Sequence, residues 1–519
     1  MFERIKDLGR GLLQRMGLLE EVKNITNHKK VTMTKEQHNR IMRAKNIYAG
    51  YVPEWHDVNY ANSNGFRQER TMMSLGMAKV VASEMASLLY SESCRFNIAG
   101  GEEEVVTKEG KTIAPTKKEE RDFIESYMFT SKFNREFQRY LEYMLAMGGL
   151  AVKAYVDNSK DEPQLKFSYI TADTFFPISN DSETVDEAVV LNSFQKGDKF
   201  YSLLEWNYWD GDVYVVENEL YESNTQDNLG FKVSLSKMFP DLEKRTEYEG
   251  MSRPRFTYFK PNDANNKEIS SPLGMSIFEN AEDTLYQLDF LFDFFHHEFR
   301  LGRRRVAIPE SMVSTRINEN GQMIVHFDET EDLFEILDGE TKSFEVKDLT
   351  VNIRSEDIIN SINFLLETLS MQVGFSAGTF TFDGTSVKTA TQVVSEDSKT
   401  FRTRNSHLTI INDGLKDLMI SAIDLAVAEG ILSKRAVLEE GDIEIDFDDG
   451  VFTDRQAEAD YYNRILNMGV MPKREIIKRL FDLPDAQADE WLAEIKSETN
   501  PIETDATEQA FKSIFGERE

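Results

Sequence analysis

Five carboxylates fall within one short stretch of this chain: Asp442, Glu444, Asp446, Asp448 and Asp449, with Ile443, Ile445 and Phe447 between them. Alternate side chains of a β-strand share a face, so several of these would stand together. Two or three could hold Mg²⁺ or Ca²⁺, and a metal-dependent phosphohydrolase or nuclease would centre on Asp446, Asp448 and Asp449. A solvated acidic strand edge explains the same pattern with fewer assumptions. Active metal centres usually add a histidine, a lysine or a more distant carboxylate, which local spacing does not reveal.

The other chemical motifs stop short. Gly110-Lys111-Thr112 ends like a phosphate-binding loop, but Val105 stands where the first glycine must be, so the backbone cannot wrap a phosphate. His297-Glu298 begins a zinc-binding H-E-x-x-H, yet Leu301 replaces the second histidine. No G-x-S-x-G places a nucleophilic serine, and the single cysteine, Cys94, has no histidine beside it in sequence. These observations assign no catalytic residue, no metal and no cofactor.

The elements that would position such residues follow from periodicity. Residues 2–16 carry Phe2, Ile5, Leu8, Leu12, Leu13 and Met16 at helical spacing with arginines interleaved. That suits packing on the fold or a neighbouring subunit better than a membrane surface. Further helices are expected over 35–48, 68–90 and 117–147, the last stopped by Gly148-Gly149. From Leu150 to about Tyr258 short alternating runs read as strands, with a type I′ hairpin turn at Asp210-Gly211. Trp206, Tyr208, Trp209 and Tyr214 would suit a sugar platform, although cross-strand packing explains them more simply.

A helix over 272–300 carries Phe278, Ala281, Leu285, Leu288, Phe292, Phe295 and Phe299 as a heptad-like seam, and another over 355–373 carries Ile358, Ile362, Leu365, Leu369 and Val373. Between them lies a compact β-type insert, 303–352. A glycine- and hydroxyl-rich loop, Gly374 to Lys388, precedes a long helix from Thr389 to about Glu429 with a kink expected at Asn412-Asp413-Gly414. An acidic strand at 443–447 and helices near 453–468 and 472–496 follow, and the tail after Ser497 reads as loosely ordered. The fold class is α+β.

The 519 residues include 60 basic and 91 acidic side chains, a formal net charge of −31, with 40% hydrophobic and 11% aromatic residues. That length suits three or four domains of about 150 residues, with enough apolar material for sizeable cores. The negative surplus opposes tight nucleic-acid binding by the whole surface, but allows a protein past which DNA must move without sticking. Residues 1–50 hold eleven basic and five acidic residues, whereas 436–460 hold ten acidic and one basic. No apolar run approaches the ~18 residues of a membrane span, and the first residues lack a signal-peptide core. A soluble protein made inside the cell is expected.

From Gly148 to Glu498 the sequence resembles the portal proteins of tailed bacteriophages, of the type found in siphophages of Gram-positive bacteria. The likeness rests on Gly148-Gly149-Leu-Ala-Val-Lys-Ala-Tyr-Val156 with Phe167 to Pro177, on Phe278 to Phe299, on Ile359 to Gly384 with Lys388-Thr-Ala-Thr391, and on Asp446-Phe-Asp-Asp-Gly450 with Thr453-Asp454. Residues 1–60 match least. The resemblance implies a wing over 1–271, stem helices at 272–301 and 355–374, and a clip at 302–354. It further implies a tunnel loop at 375–388, a long wing helix at 389–430, a crown at 431–498 and a flexible tail at 499–519.

The function that the resemblance implies is a ring, dodecameric in virions, at one capsid vertex. It would nucleate head assembly, pass double-stranded DNA non-specifically in and out, and dock the terminase large subunit and the head–tail connector. The major capsid and scaffolding proteins would be partners as well, in the host cytoplasm during assembly, with no membrane involved. DNA movement would draw on a separate ATPase. The tunnel loop would comprise Gly378, Thr379, Phe380, Thr381, Phe382, Asp383, Gly384 and Lys388; Lys388 either contacts phosphate or caps a helix. Glu282, Asp289 and Asp293 would line the channel and repel DNA phosphates within a screening length of ~10 Å at 0.1 M salt. Arg303, Arg304 and Arg305 would touch DNA, a docking partner's carboxylates, or a neighbouring subunit.

Overall fold

Thr34 and Gln37 begin α1 (Lys35–Tyr48) with a reciprocal cap: the Thr34 hydroxyl accepts from the Gln37 N–H, and the Gln37 side chain accepts from the Thr34 N–H. In the computed structural model, the residues described are 24–61, 66–98, 118–157, 163–180, 184–302, 352–381, 398–432 and 439–447, apart from Ser93, Asp227 and Ser270. The strands within 105–113 and 306–348 and parts of 461–495 are described as well. The helix expected over 2–16 and the tail 499–519 lie outside the described residues. Two compact units divide the chain, residues 1–385 with 397–448, and residues 386–396 with 449–519.

In the first unit, a one-turn helix at Pro53–His56 leads into a hairpin of β1 (Asp57–Ala61) and β2 (Arg67–Thr71). The helix expected over 68–90 is therefore only partly present: α2 spans Met77–Leu89 and starts after Gly76. Arg67 to Thr71 form a strand because β1 and a distant helix, met below, offer them partners that a helix would forgo. β3 (Arg95–Ile98) and the short pair β4 (Val105–Val106) and β5 (Thr112–Ile113) follow. The span 117–147 is two helices, α3 (Lys118–Ser131) and α4 (Phe133–Met147), parted at Lys132 with φ +58°. The break turns Phe133 and Phe137 inward, stacked at 5.3 Å and fully buried. Burial of each such ring contributes about 2–3 kcal/mol.

The β-rich region holds two sheets. β6 (Leu150–Asp157) lies between β7 (Gln164–Thr171) and β14 (Phe256–Phe259), antiparallel to both. The larger sheet runs β12 (Phe231–Val233), β11 (Val213–Ser223), β10 (Lys199–Asp210), β9 (Val185–Lys196) and β8 (Phe175–Asn180), with β13 (Arg245–Tyr248) also on β11. Asp210 pairs with Val213, so the turn residues are Gly211 and Asp212, one position later than expected. Gly211 alone has positive φ, +66°, which fits type II′ rather than type I′. Trp209 faces Tyr214 at 5.0 Å, and Trp206 and Tyr214 are buried, so packing accounts for the aromatic cluster.

A buried charge network ties the two sheets together. Lys153 of β6 donates to both Glu205 oxygens at 2.6 Å, and Arg255 approaches the same carboxylate at 3.4 Å. Burial pushes the Glu205 pKa up, but Lys153 and Arg255 outweigh it and hold it at about 2.

Later in this unit come α5 (Glu282–Leu301), α6 (Ser355–Gln372) and α7 (Ser398–Ala428). A 3₁₀ turn, Glu279–Ala281, precedes α5, so the stretch from Pro272 to Phe278 is not helical as expected. The insert between α5 and α6 carries β15 (Val306–Pro309), β16 (Thr315–Ile317), β17 (Met323–Val325), β18 (Phe334–Leu337) and β19 (Lys347–Asp348). β15 lies between β18 and β19, and β16 pairs with β17. α7 passes through Asn412, Asp413 and Gly414 as continuous helix. Gly414 serves close packing: a Cβ there would stand 2.6 Å from the buried Phe259 ring. β20 (Ile443–Asp446) forms where the acidic strand was expected and pairs with β3. In the second unit, α8 (Lys473–Phe481) falls within the helix expected over 472–496.

Candidate functional site

α5 and α6 form an antiparallel pair on either side of the β insert. Thr284 near the start of α5 donates to Gln372 at the end of α6, at 2.9 Å. At the opposite end, Glu298 accepts from Arg354 through both oxygens at 3.1 Å. The apolar seam behaves unevenly along α5: Phe278, Ala281, Leu285 and Leu288 are buried, whereas Phe299 is 45% exposed. On the outer faces, Tyr286 and Phe290 of α5 and Ile359, Phe364 and Met371 of α6 stand exposed. Phe364 and Met371 lie seven residues apart and so on one helical face.

The polar side of α5 meets the N-terminal part of the chain. Glu282, Tyr286, Asp289 and Asp293 follow a 4-3-4 spacing that keeps them on one stripe. Arg43 of α1 donates to Glu282 at 2.8 Å, and Trp55 packs against Tyr286 with ring centroids 5.6 Å apart. Asp289 accepts from the Leu75 N–H at 2.7 Å and from the Ser74 hydroxyl, with His56 Nε2 at 3.3 Å. Arg70 of β2 grips Asp293 through two bonds of 2.8 and 2.7 Å, and the Met73 N–H adds a third.

Asp289 and Asp293, expected to line a channel, are already engaged by partners of the same chain. Both are buried and bonded within the chain, because His56, Arg70 and the stretch from Met73 to Leu75 lie over them. Burial raises the Asp289 pKa above its ordinary value, against the pull of its hydrogen bonds and His56. Burial acts the same way on Asp293, but Arg70 and the Met73 N–H outweigh it and lower the pKa. Glu282 is half-buried and paired with Arg43. Arg43, His56, Arg70 and Ser74 were not singled out from the sequence. The 4-3-4 stripe on α5 was the available signal that one partner covers those carboxylates.

The loop after α6 is fixed at its root. Gly374 adopts φ +85°, and the Phe375 N–H reaches back to the Ser370 carbonyl at 2.8 Å, which ends α6 in a Schellman motif. Phe375 is fully buried, with Phe380 edge-on to it at 5.0 Å. Gly378 and Thr379 are exposed; Phe380 and Thr381 are half-buried. Phe382, Asp383, Gly384 and Lys388 lie outside the described residues, as do Arg303, Arg304 and Arg305.

The acidic strand is built into a sheet edge. Asp446 pairs in register with Arg95, and Asp442 accepts from the Glu439 N–H at 2.8 Å. Among the described residues no three His, Cys, Asp or Glu side chains group as for a metal ion. Asp448 and Asp449 lie outside them. Thr112 sits in a hairpin strand, not in a turn opening a helix, and Glu298 of the incomplete zinc motif is taken by Arg354. Among the described residues no helix is long and apolar enough to cross a membrane.

No curated protein matches the chain significantly. Residues 27–501, however, match the family described as phage portal protein, SPP1 Gp6-like. The match begins well before Gly148, so α1, the β1–β2 hairpin and α2 are part of the shared pattern rather than an appendage. Since it spans most of the sequence, including α5, the β insert, α6 and α7, the chain belongs to the phage portal proteins of this SPP1 Gp6-like family.

Proposed function

We propose that this chain is the subunit of a portal ring at one vertex of a phage capsid, a non-enzymatic conduit for double-stranded DNA. The family match over residues 27–501 carries the reading. In this reading α5 and α6 are the stem, the 302–354 insert is the clip, residues 375–388 are the tunnel loop, and 431–498 form the crown. The terminase large subunit and the head–tail connector dock on the ring, head assembly starts from it, and the capsid and scaffolding proteins surround it. Exposed Phe290, Phe364 and Met371 support subunit contacts through the stem, since a closed ring needs each subunit to present two different faces. The net charge of −31 supports a surface that DNA passes without lodging. Of the carboxylates on α5, Glu282 remains a channel-lining candidate through its partial exposure, whereas Asp289 and Asp293 act as anchors for the N-terminal segment.

The native mass of the full-length protein by light scattering, followed by negative-stain images, tests this. The expected result is a ring of about a dozen 59.8 kDa chains around a central hole. A chain that stays monomeric or dimeric even with its capsid and scaffolding proteins present would refute the proposal.

A further inference from the structure

The two ends of the segment between α6 and α7 are tied together by side chains 24 residues apart. The Ser376 N–H donates to the Thr400 hydroxyl at 2.9 Å, and the Thr400 N–H donates to the Ser376 hydroxyl at 3.3 Å. The two hydroxyls are themselves 3.1 Å apart, and both residues are buried. Thr400 is the third residue of α7. Its N–H is therefore one of the four that a helix leaves open at its start, and the residue closing it comes from the far side of the loop. The arrangement is a capping box made between distant segments rather than within four consecutive residues.

The neighbouring contacts point the same way. Lys399 Nζ donates to the Met371 carbonyl at 2.5 Å, satisfying an open acceptor at the end of α6. Gly374 leaves no room for a side chain, because a Cβ would stand 2.6 Å from Thr403 of α7. The last turn of α6 and the first turn of α7 are thus one joint. Bringing the ends of so long a segment together costs chain entropy, and the clasp offsets that cost at a single buried point.

We propose that Ser376 and Thr400 are positioning residues for DNA passage. Their clasp makes the loop leave and rejoin the fold at one fixed place, so that force on the loop enters α6 and α7 together. This inference rests on the conduit reading above and assigns it a mechanical part.

The test compares Thr400→Val, which keeps the shape and removes the hydroxyl, with Thr400→Ser, which keeps the hydroxyl. Each is assembled into rings and heads and supplied with the phage's packaging motor, and nuclease-protected DNA per head is counted. Thr400→Val should form rings of wild-type mass yet package several-fold less DNA, since the Ser376 N–H loses its buried acceptor and the Ser376 hydroxyl loses a partner. Thr400→Ser should package close to the wild-type level. Normal packaging by Thr400→Val would overturn the clasp, and so would failure of both variants alike. Rings that form with serine but not with valine would overturn it too, since the clasp would then serve assembly rather than the loop. Wild-type rings that support no packaging at all would sink the conduit reading itself, and the clasp proposal with it.

Discussion

Replacing Phe364 by aspartate isolates subunit association from folding. The side chain is 67% exposed on α6, so the chain's own core hardly depends on it. A phenylalanine offers roughly 200 Å² for burial, and two-thirds of that is about 130 Å². At about 25 cal/mol per Å², covering it with a neighbouring subunit contributes about 3 kcal/mol per contact, more than a hundredfold in affinity. A buried unpaired carboxylate would add a further penalty. Each subunit of a closed ring meets the change once at its own face, so the loss recurs around the whole circle. The melting temperature of the isolated chain should move by no more than a degree or two, while light scattering should show rings giving way to small species. A Phe364→Asp protein that keeps its ring mass at micromolar concentration would refute the placement of this face in the subunit contact.

Other perturbations follow from the buried networks. Glu205→Gln leaves Lys153 and Arg255 without their shared carboxylate and should cost about 3–5 kcal/mol at pH 7 by chemical denaturation. Because the folded pKa of Glu205 lies at about 2, below its ordinary 4.5, its contribution of about 3 kcal/mol is present above pH 4.5 and fades as pH falls towards 2. The gap between wild type and variant should therefore narrow over that range, and a constant gap would count against the network. Arg70→Ala should free the β1–β2 hairpin from α5 at a cost of about 2 kcal/mol, seen as faster amide exchange from Asp57 to Thr71. Gly414→Val pushes into the Phe259 ring and should destabilise the fold by about 2 kcal/mol, despite its better helix propensity; an unchanged melting temperature would argue against close packing there.

The elements that periodicity located are those whose signal is local. α1 and α6 stand within a residue or so of their expected bounds, because a capping pair and an unbroken apolar stripe are written in consecutive residues. The strands of 150–258 and the acidic strand were legible for the same reason, through alternation. The misses share an opposite cause. Arg67 to Thr71 look helical by pattern, yet they form a strand because Asp293 lies 223 residues away in sequence and beside Arg70 in space. Lys132 breaks a stretch that reads as one helix, since the aromatic core around Phe133 needs the turn more than the chain needs the continuity.

The candidate site divides along that line. Sequence alone carried the order of parts, the absence of a complete phosphate loop or zinc motif, the acidic balance and the resemblance to portal proteins, for all of these depend on residue types and their spacing. Only the tertiary structure decided which partners clamp the carboxylates of α5, which apolar side chains remain uncovered, and that Ser376 meets Thr400. Each of those depends on what a residue touches across tens to hundreds of positions. A hydrogen bond of 3 Å between such partners leaves no periodic trace along the chain.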